Sequence, residues 1–323
     1  MLLPEFAGSG RMESIMKAKV STYNTKKASK KMKGGQIVLF LILLIVTILC
    51  ALPIILIFVS AFADETVLVR EGFTFFPSKL SLNGFNAVLR YGKQLFVSYG
   101  VTILVTISGT VIGLLVMAMY SHCLTIREFP LKKLLSIWAM IPLLFSGGQI
   151  STYIVYTSVY HLRDSLLLLI LPLCVSTMNI IILRTYIKTS VPEELLDSAR
   201  IDGAREYRIF FQIVFPLMKP ALAAVGFMMA TSYWNDWQNA LLFITSDSKK
   251  PLQLLLINIQ KSIETLLSIR NIPSSALAAM QGSIPQNSAT MATVVVVIAP
   301  IMVVYPFFQK YFIKGLTIGS VKG

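Results

Sequence analysis

The chain has 323 residues, of which 55% are hydrophobic and only 14% are charged, and its net charge at pH 7 is +14. A soluble protein of this length usually carries about 25% charged residues, so most of this protein's surface faces something other than water. Length alone suggests roughly two soluble domains, but a mean hydropathy of +0.72 argues against them and favours one domain with several membrane spans.

The first 35 residues form a basic tail. They hold eight Lys and Arg residues against only Glu5 and Glu13, and the cluster ends where the first apolar run begins. Basic residues beside a span keep that flank in the cytoplasm, and they are also attracted to anionic lipid. Nucleic-acid binding is the alternative, but topology explains the cluster more simply. We therefore predict a cytoplasmic tail at 1–35, and no nucleic-acid partner.

Charged residues divide the rest of the chain into six apolar runs, each long enough to cross a bilayer at about 20 residues. An even number of spans places both termini on one side, and the basic residues at both ends identify that side as the cytoplasm. This pattern predicts an all-α, polytopic membrane protein with six transmembrane helices. The runs are about 36–61, one after Lys93, one between Lys133 and Arg163, one between Asp164 and Arg184, about 213–244, and about 289–312.

Several of these runs contain residues that break helices. Broken helices expose backbone groups, which a membrane tolerates only where protein or a water-filled cavity satisfies them, and they are common in transporters. Ordinary kinking is the alternative at any one position, since Gly and Pro are frequent in membrane helices. The set as a whole favours transport. The breaks are FSGGQ at Phe145–Gln149, and Pro172, Pro216, Pro220, Pro300 and Pro306.

The sequence contains no recognisable catalytic motif. It has no GxxxxGK[ST] loop for nucleotide phosphates, no HExxH and no GxSxG. Its two histidines, His122 and His161, fall on opposite sides of the membrane by the span count, which argues against a metal site or a histidine acid–base centre. We therefore predict no catalytic residue, no metal and no cofactor in this chain.

A charged, amphipathic segment, EELLDSARIDGAREYRIFFQIVFPLMKP, separates the fourth and fifth runs. Pro192 and the acids after it are typical of a helix start, and Gly203 is expected to separate two short helices. By the span count the segment is cytoplasmic. Helices that lie on lipid headgroups usually carry Lys and Arg on their polar face, whereas acids and bases nearly balance here. The mixture favours docking into a groove of another protein.

The same segment resembles the EAA loop of binding-protein-dependent ABC importer permeases, which couples the permease to its ATPase. Asp197-Ser198-Ala199 stands at the EAA position, with Gly203, Ile213 and Phe215-Pro216 at the family's spacing. Asp for Glu, Ser for Ala and Phe for Leu are mild departures. The resemblance implies a coupling loop at about 192–216. Its expected coupling residues are Glu194, Asp197, Ser198, Ala199, Asp202, Gly203, Ile213 and Pro216.

Residues 36–323 as a whole resemble permeases of the carbohydrate-uptake class, of the second-permease type of maltose systems. IPLLFSGGQISTYIVY, YWNDWQNALLFI and LTIGSVKG are similar to the subgroup for larger or acidic oligosaccharides. The resemblance implies a non-enzymatic transport subunit of a bacterial plasma membrane. Its implied partners are a second homologous permease, two ATPase subunits that bind ATP and Mg, and an extracytoplasmic solute-binding protein. A permease for amino acids or peptides is the first alternative, and a membrane scaffold or enzyme is the second.

The fifth run contains the residues best suited to contact a sugar. Its YWNDWQN stretch is expected in the outer half of the membrane, where aromatic faces and amides would stack on sugar rings and pair with hydroxyls. An interfacial aromatic belt is the alternative. On a regular helix the two tryptophans share a face and Asp236 points away, so we expect Asp236 to pair within the protein. The candidate path residues are Tyr233, Trp234, Asn235, Trp237 and Gln238, with Tyr153 and Tyr156 in addition.

Overall fold

The computed structural model describes residues 34–90, 92–268 and 286–318, so most of the predicted tail lies outside the described residues. Within these ranges the regular structure is helical apart from one isolated bridge, Ala63 with Leu80, which confirms the all-α prediction. The helices are α1 (Gly34–Ala61), α2 (Glu65–Glu71), α3 (Asn83–Leu89), α4 (Gly92–Cys123), α5 (Lys132–Leu144), α6 (Gly148–Ile154), α7 (Leu167–Cys174), α8 (Thr177–Ser190), α9 (Glu193–Ile201), α10 (Glu206–Leu217), α11 (Lys219–Trp234), α12 (Gln238–Phe243), α13 (Leu252–Ser268) and α14 (Gln286–Ile318).

The chain divides into two compact units, residues 1–55 and 56–323. The described part of the first unit belongs to α1, whose bounds agree with the predicted span at 36–61. This helix has a mean hydropathy of 3.3 over its most apolar stretch and continues through Pro53.

Three of the described helices are long and apolar enough to cross a membrane alone: α1, α4 and the first part of α14. Two bent pairs raise the number to five, because α7 with α8 bends by 52° and α10 with α11 by 78°. The predicted third span corresponds to α5 and α6, which residues 145–147 separate, as the FSGGQ stretch predicts. Since this pair does not meet the same criteria of length and composition, the count of six stays a prediction.

The proline and glycine breaks have different outcomes along the chain. The third predicted span is interrupted at 145–147, within FSGGQ. The fourth is interrupted at 175–176, whereas Pro172 lies inside α7. The fifth bends between α10 and α11, next to Pro216 and Pro220, and is interrupted again at 235–237, where there is no Gly or Pro. The sixth is not interrupted: α14 is one helix of 33 residues that continues through Pro300 and Pro306. Interruption at those two prolines is therefore not observed, and they are sites of kinking inside a helix.

The second unit is built around α4. From Gln94 to His122 this helix extends about 42 Å at 1.5 Å per residue, and α7, α8 and α11 pack along it. Gly109 makes one close approach possible, since a Cβ at this position would lie 2.4 Å from the ring of Tyr233. Small residues let membrane helices come together in this way.

Loops group at the two ends of α4 as the alternation of spans requires. At its C-terminal end, Arg127 in the loop 124–131 pairs with Glu193 at the start of α9. At its N-terminal end, the amide of Gln94 donates to the carbonyl of Asp247. Residues predicted on one side of the membrane therefore meet at one end of the unit.

Asp164 joins two loops at the end of the unit where α4 begins. Its carboxylate accepts hydrogen bonds from the hydroxyl and amide of Ser246 and from the amide of Thr245 at 2.9 Å, and it pairs with Lys249 at 3.0 Å. These donors, the Ser246 hydroxyl first, hold the pKa of Asp164 well below its usual range. A lowered pKa means that the link contributes stability above the ordinary carboxyl pKa and is lost only as the pH falls towards the lowered value.

Glu65 holds the start of the last helix at the same end. Its buried carboxylate accepts from the backbone amides of Asn287 and Ser288, both at 2.9 Å, and from both of their side chains. The first amides of a helix lack partners within the helix and favour a negative charge. Glu65 therefore anchors α14 to α2.

We expect Glu65→Ala to lower the thermal unfolding midpoint of the purified protein in detergent. Removing a charged acceptor from buried amides costs about 3 kcal/mol, because the amides are left without partners. Glu71→Ala is the matched control, since Glu71 is exposed and accepts only one described hydrogen bond, from Ser78 at 2.8 Å. Equal midpoints for the two variants would contradict the anchoring role.

Candidate functional site

The predicted coupling loop forms a knob of two short helices at the C-terminal end of α4. The first, α9, has an acidic first turn of Glu193 and Glu194 after Pro192. The second, α10, has a π-helical turn at Phe210–Val214. The bounds agree with the two helices predicted on either side of Gly203.

Gly203 ends the first helix in the conformation that a glycine favours. Its φ is +79°, its amide donates to the carbonyl of Arg200 at 3.0 Å, and the amide of Ala204 donates to the carbonyl of Ala199 at 2.9 Å. This pair of bonds is the Schellman arrangement, in which the residue after the helix adopts a left-handed conformation. The glycine thus sets the angle between α9 and α10.

The knob packs on the second unit with one face and exposes another. Leu196, Ile209 and Phe210 are buried in its hydrophobic core. Ile201 is 86% exposed and Tyr207 65% exposed. Both are large apolar side chains that the knob leaves exposed in a segment rich in charged residues.

Arg200 holds the two knob helices together. Its guanidinium donates to the carboxylates of Asp197 and Glu206, both at 2.8 Å. Asp197 stands at the position that matches the EAA pattern, and Glu206 begins α10. Three charged residues of the knob, Asp197, Arg200 and Glu206, therefore pair with one another across the two helices.

The expected coupling residues fall into two groups, partly buried and exposed. Ala199 and Ile213 pack partly buried against the core, and Ser198 donates to the carbonyl of Glu194 at 2.8 Å. The exposed members of the set are Glu194, Asp197, Ser198, Asp202, Gly203 and Pro216.

The sequence interpretation used His122 only to argue against a metal site. In the structure its ring is buried at the end of α4, with Nε2 3.4 Å from Oε2 of Glu206, and it stacks near the ring of Phe210 at 5.4 Å. His122 and Glu206 lie far apart in the sequence, so no local pattern links them. Only the packing of α10 against α4 brings them together.

The prediction of a regular helix through the aromatic stretch of the fifth span is wrong. The helix α11 ends at Trp234, and α12 begins at Gln238. The hydroxyl of Tyr233 donates to the carbonyl of Ile170 at 2.8 Å, and the indole of Trp234 donates to the carbonyl of Val297 at 3.2 Å. Both side chains are buried, so they hold helices together within the chain and are not positioned to line a path.

Asp236 explains the interruption. Its carboxylate accepts from the backbone amide of Asn239 at 3.1 Å and from the side-chain amide of Asn239 at 2.9 Å. An aspartate that accepts from the amide three residues later caps the start of a helix, here α12. The prediction that Asp236 pairs within the protein agrees with this geometry.

The remaining candidates lie exposed around the break. Asn235, Trp237 and Gln238 are exposed, and Asn235 accepts from the amide of Gln253 at 3.0 Å. Tyr153 stacks on Phe243 with ring centroids 5.8 Å apart, and it is 43% exposed.

Tyr156 approaches the same Phe243 ring edge-on at 5.9 Å. Phe243, which the sequence interpretation missed, therefore joins α12 to Tyr153 of α6 and to Tyr156 in the π-helical turn 155–159 that follows it. Both tyrosine candidates therefore contact this one ring. Gln253 was also missed, because only the fold brings α13 next to the break.

A helical membrane domain with interrupted spans is typical of transporters, and here an exposed knob lies at one end of it. Residues 109–318 match the family described as binding-protein-dependent transport system inner membrane component, and the chain belongs to this family. It is therefore a multi-pass membrane protein and a transport component.

Characterised relatives match over most of their length. Protein LplC of Bacillus subtilis is 36% identical over 84% of this chain and 89% of its own. The polygalacturonan/rhamnogalacturonan transport system permease protein YtcP of the same organism is 33% identical over 87% of this chain and 96% of its own. A crystal structure of a bacterial ABC transporter involved in the import of the acidic polysaccharide alginate matches with a TM-score of 0.69 and 26% identity, over 96% of this chain and all of that chain.

Proposed function

We propose that this chain is one of two permease subunits of an ATP-driven importer that takes up oligosaccharides, including acidic ones. The observation that carries the proposal is the exposed knob at one end of a membrane domain whose sequence has no nucleotide-binding loop of its own. Relatives named for polygalacturonan and arabinooligosaccharide transport support the substrate class. They do not favour amino acids or peptides.

The knob would dock in a cleft of an ATPase subunit that binds ATP and Mg. Ile201 and Tyr207 would enter the cleft, and the charge pairs around Arg200 would keep the knob rigid. Closure of two ATPase subunits would then move the knob as a body and open the path to the other side. An extracytoplasmic solute-binding protein would deliver the sugar at the opposite end.

The substrate path would pass the break between α11 and α12. An aromatic face at Trp237 and amides at Asn235 and Gln238 offer stacking and hydrogen bonds to a sugar. Tyr153 and Tyr156 would extend this surface along α6. The carboxylate of Asp236 is turned to Asn239 of its own chain, from which it accepts two hydrogen bonds.

The proposed orientation puts both termini and the knob in the cytoplasm of a bacterial plasma membrane. We expect Ser248→Cys to react with an impermeant thiol reagent in intact cells, and Asp202→Cys to be shielded until the cells are opened. Both positions are exposed in this chain, and the opened cells are treated to release the bound ATPase, so that only the membrane shields Asp202→Cys. Replacing the three native cysteines first removes background. Labelling of Asp202→Cys in intact cells would contradict the proposed orientation and place the knob outside the cell.

The function is tested on the complex isolated from its own membranes through a tag on this chain. We expect a second permease and an ATPase to co-purify. After reconstitution into vesicles with the solute-binding protein, labelled oligogalacturonate and neutral oligosaccharides should enter on ATP hydrolysis, whereas peptides should not. Uptake of peptides in place of sugars would overturn the substrate class, and absence of an ATPase would overturn the importer itself.

A further inference from the structure

The buried histidine at the end of α4 lies where the knob meets the membrane domain. His122 is 4% exposed, and neither ring nitrogen makes a well-aligned hydrogen bond with another described residue. The nearest acceptor is Oε2 of Glu206, 3.4 Å from Nε2, which itself lacks an aligned donor among the described groups. Buried polar atoms without partners are rare and usually have a reason.

The two carboxylate oxygens of Glu206 have different neighbours. Oε1 accepts from Arg200 at 2.8 Å, and Arg200 also binds Asp197 in α9. Oε2 faces His122. A continuous chain of facing charges therefore runs from the EAA position of the knob, through α10, to the last turn of a membrane span.

We propose that His122 is a positioning residue that ties the knob to α4 through Glu206, so that movement of the knob moves this span. The inference rests on the proposed coupling function of the knob. It adds that α4 is the span to which the knob transmits its movement. No other contact between α10 and α4 among the described residues joins a histidine to a carboxylate.

Protonation would strengthen this link. A neutral imidazole can donate one ordinary hydrogen bond to Glu206, whereas an imidazolium forms a charge-assisted bond that is roughly twice as strong. The charged or titratable groups around the histidine are Glu206 on α10, Arg200, Asp197 and Glu193 on α9, Arg127 in the loop 124–131, and Cys123 on α4 itself. Of these, Glu206 is the group whose unpartnered atom faces the ring.

The test uses the complete reconstituted importer and measures uptake per ATP hydrolysed between pH 5 and 8. We expect the wild-type ratio to rise as the pH falls. His122→Gln keeps a hydrogen-bond donor to Glu206, but its uptake per ATP hydrolysed should not rise as the pH falls. His122→Ala should lower the ratio about tenfold, as for a buried bond to a charged group. His161→Asn is the matched control, because asparagine tolerates the positive φ of 53° at this exposed position and should leave the wild-type profile intact.

The Glu206→Gln variant shows whether His122 acts through Glu206 or affects coupling by another route. If His122 acts through Glu206, then His122→Gln, Glu206→Gln and the double variant should share one pH profile. A wild-type profile for His122→Gln, or additive profiles, would overturn the inference while the importer still couples. A wild-type complex that hydrolyses ATP without uptake at any pH would instead count against the proposed function.

Discussion

Replacing Gly203 with proline is expected to uncouple ATP hydrolysis from uptake while the spans remain inserted. Proline fixes φ near −65°, whereas Gly203 has a φ of +79°, and proline also removes the amide that bonds to Arg200. The angle between α9 and α10 would change, and the exposed Ile201 would leave its docking position. Co-purification of the ATPase and uptake should both fall at least tenfold, which corresponds to about 1.4 kcal/mol.

A matched control for this change lies at the other end of the second unit. Gly72 also ends a short helix with a positive φ, of 76°, and a Cβ there would meet no atom within 4 Å. Gly72→Pro imposes the same backbone strain away from the knob, so it should leave ATPase co-purification unchanged. Gly203→Asn should retain most coupling, because asparagine tolerates a positive φ. Normal uptake and ATPase content in Gly203→Pro would remove the coupling role from the knob.

The two tryptophans of the fifth predicted span should respond to substitution in opposite ways. Trp237 is 39% exposed, and its removal takes away a stacking surface, so Trp237→Ala should lower uptake about tenfold at normal yield. Trp234 is buried and bonds to Val297, so Trp234→Ala should destabilise the protein by about 3–5 kcal/mol and lower its yield.

Yield in detergent and uptake, measured side by side, separate these two outcomes. Trp237→Phe retains an aromatic face and should recover most of the uptake. Trp234→Phe keeps much of the volume but loses the bond to the Val297 carbonyl, so its stability should lie between those of the wild type and the alanine variant. Full uptake by Trp237→Ala would move the substrate path away from this break.

The coupling loop was predictable because its signals are local. Pro192 and the acids after it start a helix by backbone geometry and the helix dipole, and Gly203 ends it by its conformational freedom. These causes act within one turn of chain, so tertiary packing did not need to be known. The structure confirms both helices and the glycine between them.

The break at 235–237 was missed although a local signal existed. The stretch contains neither Gly nor Pro, and helical periodicity alone made a regular helix the natural prediction. The signal was Asp236, three residues before Asn239, which is a capping spacing. Apolar residues on both sides obscured this capping signal. Because the helix ends at Trp234, the prediction that the two tryptophans share a helix face is also wrong.

Composition and the order of apolar runs determined by themselves that this is a helical membrane protein, because burying backbone in lipid leaves few other structures possible. They also determined where its charged loop lies. Which aromatic side chains are buried, and which histidine meets which glutamate, was decided only by the tertiary structure. The reason is that Trp234 with Val297, and His122 with Glu206, are contacts between residues far apart in the chain, made by helices whose crossing depends on small residues such as Gly109.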